Sequence, residues 1–152
     1  MSEYSQSQVS KTVKLDLKGI PESQWAQVKR EIGSFLEDAI LDKISQGTSP
    51  VKGMKAFKKL DQKYADAKKG GDNTPNLNLD GDLWDSIKAK SIGGEAAIEV
   101  GVFRKTEAPI AFNHNTGDTL PTRRFIPKQN QAFTDDIQQG IRDIIESFRN
   151  GE

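Results

Sequence analysis

The stretch Ser86 to Phe103 reads SIKAKSIGGEAAIEVGVF. Two runs of alternating apolar and polar residues flank a pair of glycines, the pattern of a β-hairpin. If Gly93 and Gly94 form a two-residue turn, Ile87 faces Val100, Ala89 faces Ile98 and Lys88 faces Glu99. Apolar partners then share one face and an opposite-charge pair sits on the other, an agreement that a one-residue slip would destroy. An antiparallel sheet with one buried face needs something apolar laid on it, and that requirement directs the reading outward.

Upstream, Trp25, Val28, Ile32, Phe35 or Leu36, Ala39 or Ile40, and Ile44 recur at three- and four-residue spacing. The spacing predicts a helix with one continuous apolar stripe, stopped by Gly47 in the position favoured by a left-handed residue. Before it, Val13, Leu15 and Leu17 alternate with Lys14, Asp16 and Lys18, which predicts a short strand ended by Pro21. Residues 1–10 are a polar Ser/Gln lead, expected to be flexible. Downstream, Pro127 suits the start of a closing helix over 127–149, with Phe133, Ile137, Ile141, Ile144 or Ile145, and Phe148 as its apolar stripe. Gly140 within it points to close packing against the sheet or the first helix. PIAFNHNTG, residues 109–117, reads as a loop or single turn, and TLPTRRFIP as no more than a short edge segment. Residues 47–82 form an extended arm in which Met54, Phe57, Leu60 and Tyr64 fit one short helix. The expected fold is α+β: a small antiparallel sheet packed by a long N-terminal helix and a C-terminal helix, in a single domain of 152 residues.

Composition narrows the function. With 22 basic and 22 acidic side chains the net charge is zero, which argues against a protein built mainly to grip a nucleic-acid backbone. Charge is uneven locally: Lys52, Lys55, Lys58, Lys59, Lys63, Lys68 and Lys69 face only Asp61 and Asp66 in the arm, whereas the tail after Phe133 is net acidic. The absence of cysteine excludes disulfides, thiolate metal sites and thiol catalysis. The polar N-terminus lacks the apolar core of a signal peptide, and no run approaches the roughly 20 apolar residues of a membrane helix. The expectation is a soluble protein of the cytoplasm.

NLNLDGDLWDSI, residues 76–87, places Asn76, Asn78 and Asp80 at alternate positions before Gly81, as a calcium loop begins. Its twelfth position is Ile87, which cannot coordinate, and its first is a neutral Asn, so its spaced polar residues read as turn formers that lead Leu83, Trp84 and Ile87 inward. No metal and no cofactor are expected. His114 is the sole histidine, which excludes a multi-histidine centre, and no nucleophile elbow or glycine-rich nucleotide loop is present. Asp135 and Asp136 complement the dipole of the last helix rather than forming an acid-base pair. No enzyme is expected.

Four segments, in order, resemble the tail-completion or neck proteins of tailed bacteriophages, including those called virion morphogenesis proteins. GTSPVKGMKAFKKLDQKYADAKK is similar to the family's Gly-x-Ser-Pro segment and Lys/Tyr-rich helix, and PNLNLDGDLWDSI to its Leu-x-x-Gly-x-Leu-x-x-Ser-Ile box. IEVGV is followed by an apolar turn and His114-Asn115-Thr116-Gly117, and LPTRRFIP precedes the terminal helix. Arg124 stands where the family often has proline, and Glu107-Ala108-Pro109 is less apolar than usual there.

The resemblance implies a structural virion protein at the head-tail junction, a homo-oligomeric, often six-fold ring that joins the connector to the tail. Its implied partners are a portal-side adaptor or head-closure protein and a tail terminator or tail tube protein, with DNA passing through the channel unread. Ring contacts are heterologous and close by rotation. Under it, Lys55, Lys58, Lys59, Tyr64, His114, Gly117, Arg123, Arg124 and Phe125 are candidate subunit or partner contacts, with core packing the equal alternative for Phe125. The competing expectation is a small nucleic-acid-associated binding protein using the lysine-rich arm, and a calcium-dependent module is a distant third.

Overall fold

The computed structural model describes residues 8–54, 57, 85–104, 106–116 and 124–151. Three strands, β1 (Val9–Lys14), β2 (Ile87–Ser91) and β3 (Ala97–Val102), form one antiparallel sheet in the order β1-β3-β2. Among the described residues three helices accompany it: α1 (Trp25–Ser45), α2 (Ala108–Thr116) and α3 (Asp135–Arg149), with a turn of 3-10 helix at Glu22–Gln24 leading into α1. The fold is therefore α+β, with a long N-terminal helix and a C-terminal helix about a small sheet, as the periodicities predict.

The helix α1 runs 21 residues and buries Val28, Ile32, Leu36, Ile40 and Ile44 along one stripe. Gly47 ends the turn beyond it with φ 75°, a left-handed backbone that costs a side-chain-bearing residue. This stripe lies on the sheet face that carries Val9, Ile98, Val100, Val102 and Ile87, all at most 2% exposed. At that strength of burial each side chain contributes roughly 1.5 to 3 kcal/mol. The helix α3 packs beside α1 rather than on the sheet, with Ile137, Ile141 and Ile145 turned inward. Phe35 of α1 fits against Gly140 of α3, where a Cβ would stand 2.2 Å from the ring. Close packing at Gly140 is thus against the first helix.

Several boundaries differ from the expectation. The first strand spans Val9–Lys14, so it begins inside the stretch read as a lead, and Val9 is fully buried. Leu15 and Leu17 are buried as well, but in the chain that leaves the sheet toward Pro21. Alternation locates the apolar residues and does not say where sheet hydrogen bonding stops. The hairpin forms, with its register moved by two: Ile87 faces Val102, Ala89 faces Val100 and Lys90 faces Glu99, while Lys88 faces Gly101. Two residues preserve the pleat, so the same side chains remain buried. The longer loop follows from its chemistry, because Gly94 alone takes a positive φ where a two-residue type I′ turn needs two. The ammonium of Lys29, 5% exposed on α1, also donates to the carbonyls of Ile92 and Glu95 at 2.7 Å each and holds the loop open.

The last helix starts at Asp135, not at Pro127. The intervening residues are committed elsewhere: Gln131 N–H donates to the Lys128 carbonyl, and Val51 and Phe133 form an isolated antiparallel bridge. Lys52 N–H donates to Ala132 O at 2.8 Å and Thr134 N–H to Pro50 O at 2.9 Å, so the start of the arm is stitched to the approach of α3. Val51 and Phe57 are buried with the core. The rest of the expected arm, including Leu60, Tyr64 and the Asn76–Trp84 stretch, lies outside the described residues. Among the described residues no helix is long and apolar enough to cross a membrane.

Candidate functional site

PIAFNHNT is not a loop. Ala108–Thr116 form a helix of nine residues, α2, that buries Ala108, Ala111 and Asn115 at three- and four-residue spacing. Pro109 is accommodated because it stands in the first helical turn, where its missing N–H has no partner to lose. The backbone carries the helix from its start, with Ala108 N–H on Arg104 O and Ala111 N–H on Glu107 O.

Asn115 is the hub of the site. It is fully buried, and its Nδ2 donates back to Ala111 O at 2.7 Å. Its Oδ1 accepts from the backbone N–H groups of Phe125 and Ile126, both at 2.9 Å. One carboxamide therefore satisfies two donors that a helix or strand would otherwise have to satisfy, and it holds residues 124–126 against the end of α2. Arg124 returns the contact: its Nε donates to Asn115 O at 2.9 Å. From the other side the Ser49 hydroxyl donates to Arg124 O at 2.6 Å and accepts from Val51 N–H at 3.0 Å. The Ser49–Val51 segment thus joins Asn115 and Arg124–Ile126, more than sixty residues further on, in one hydrogen-bonded junction over the core.

Of the nine candidate contacts, the structure brings His114, Arg124 and Phe125 to this junction. Phe125 has no exposed surface and takes the second of its two expected places, in the core, where its ring anchors the segment from beneath. Arg124 and His114 are half-buried. Lys55, Lys58, Lys59, Tyr64, Gly117 and Arg123 lie outside the described residues. Sequence reasoning missed Asn115, Ser49 and Ile110. The Ala108, Ala111, Asn115 spacing was the available signal for the first. Ile110, at 46% exposed, is the large hydrophobic residue that α2 presents to solvent.

The side-chain atoms of Asn115 and Ser49 and the Nε of Arg124 are spent on backbone partners, an arrangement that fixes the geometry of the junction. Among the described residues no group of three or more His, Asp or Glu side chains is placed to hold a metal ion. Ile87, the twelfth position of the calcium-like loop, is 2% exposed at the start of β2. Two ion pairs reach the first turn of α3: Lys43, in the last turn of α1, to Asp136 at 3.0 Å and Lys52, next to Val51, to Asp135 at 2.8 Å. The Thr134 hydroxyl and then the Lys43 ammonium hold the Asp136 carboxyl below the ordinary carboxylate range. No family model, curated protein or solved structure matches the chain.

Proposed function

We propose that the chain is a structural subunit of the head-tail junction of a tailed bacteriophage, assembling with copies of itself into a ring that joins the connector to the tail. The observation that carries this reading is the junction itself. Three of the four segments that resemble neck proteins meet there, through Ser49, Asn115 and Arg124–Ile126. A hydrogen-bonded, largely buried node of this kind presents a surface in a fixed attitude, as a ring subunit requires. Above it α2 exposes Ile110, with Arg124 half-exposed beside the helix end, a pairing of apolar and guanidinium groups suited to a protein contact. The zero net charge suits a channel that lets DNA pass without retaining its phosphates.

Native mass spectrometry of the purified chain, with and without duplex DNA, tests the reading. A discrete homo-oligomer, or a complex with connector or tail proteins, is the expected result. A monomer that binds DNA would overturn it in favour of a nucleic-acid-associated protein.

A further inference from the structure

The two edges of the sheet are treated differently. On β2 the outward backbone N–H of Ala89 is capped by the Glu37 carboxylate of α1 at 2.8 Å, which blocks that edge to another strand. On β1, Leu15 N–H points to Ala96 O, so by alternation from Val9 to Leu15 the odd residues face β3 and Ser10, Thr12 and Lys14 point their N–H and C=O groups outward. Among the described residues no hydrogen bond reaches the outward backbone of Thr12 or Lys14.

That edge opens on a groove of about 620 Å³ between β1, residues 129–133 and α3. Among the described residues α3 leans on α1 and does not cover the flank of β1. Val13, Leu15, Phe133, Ile141 and Ile145 line it with apolar surface. Lys11 donates to the carbonyls of Lys128 and Gln129 at 3.2 and 3.1 Å, which holds the far wall at a fixed distance from the strand. The charged lining is Lys11, Lys14 and Arg142 against Asp16, whose carboxylate lies 3.3 Å from Arg149. The mouth is therefore electropositive.

We propose that the edge of β1 at Thr12 and Lys14, which no described residue pairs, is a docking site for an extended segment of another protein, one that alternates apolar and acidic side chains. Main-chain pairing with Thr12 and Lys14 would add a fourth strand, its apolar side chains would enter the groove, and its carboxylates would meet Lys14 and Arg142. A helix could not use the outward backbone groups. A second copy pairing β1 against β1 would bring lysines together in a strand, VSKTVK, whose only charges are positive, so like charges oppose it. The proposal uses no part of the Asn115 junction and stands independently of the ring.

The test is a random dodecapeptide selection against the full chain, with winners measured by fluorescence anisotropy. Enriched peptides should alternate apolar residues with Asp or Glu. N-methylation of their alternate amides, or Lys14→Glu combined with Arg142→Glu, should each weaken binding about tenfold or more. Thr12→Pro should do the same, because it deletes an outward N–H and spares the bonds to β3. Circular dichroism checks that the variants fold, and the N-methylated peptides give the same information on the unmodified chain. No enrichment, enrichment of basic or helix-period peptides, or indifference to N-methylation would overturn the proposal. So would a homodimer in sedimentation that Thr12→Pro dissociates, since it would assign the edge to a second copy.

Discussion

At the scale of single residues the fold depends on a few atoms with no alternative placement. A Cβ at Gly140 would stand 2.2 Å from Phe35 Cζ. Alanine improves helix propensity by roughly 1 kcal/mol, but overpacking of this kind costs about 1 to 3. Gly140→Ala is thus expected to lower stability by up to about 2 kcal/mol in urea melts, with Phe35→Leu in the same chain restoring most of it. Asn115→Ala is expected to cost more, about 2 to 4 kcal/mol, because it strands the buried N–H groups of Phe125 and Ile126. The two residues differ in how they could be read. A glycine inside an apolar-periodic helix announces close packing by itself, whereas a buried asparagine looks in sequence like any other loop former. Its partners are supplied by a segment about ten residues away, and only the folded chain reveals them.

At the scale of elements, periodicity located what is buried but not where hydrogen bonding begins. The stripe of α1 follows from its sequence spacing because a helix repeats its own bonds internally. The hairpin register does not, because it was settled by a third element: Lys29 of α1 reaches the loop carbonyls at 2.7 Å. Lys29→Met keeps the stem and removes the donor, so it should cost about 1 to 3 kcal/mol and speed amide exchange of Ile92 and Ala97. The contact between α1 and α3 carries a pH dependence of known sign. The Asp136 carboxyl is lowered in the folded chain by the Thr134 hydroxyl and Lys43, so its contribution is present above the ordinary value of 3.8 and is lost as pH falls through the lower folded one. Its side chain is 63% exposed, so solvent screening keeps that contribution below about 1 kcal/mol. Comparing acid unfolding of the parent with Asp136→Asn should show a slightly shallower loss of stability in the variant below that pH. An identical profile in the two would remove Asp136 from the account.

At the scale of the molecule, the surface left uncovered is as informative as the core. A domain this small cannot hide every apolar side chain, yet Ile110 stands alone as the large hydrophobic residue with substantial exposure among those described. It lies on α2, the element that the proline in its first turn disguised as a loop, and beside the node through which Asn115 binds the 124–126 segment. Because Ile110 contributes little to the monomer core, Ile110→Asp should leave thermal stability within about 0.5 kcal/mol of the parent. In a ring the same position would be desolvated at every subunit boundary, and a buried unpaired carboxylate is far more costly there. Native mass spectrometry should then find the oligomer shifted to monomer at equal concentration, while circular dichroism stays unchanged. An oligomer that survives Ile110→Asp intact would move the subunit boundary off α2, even if the ring itself were real. Loss of the monomer's fold would show instead that the residue is buried in solution.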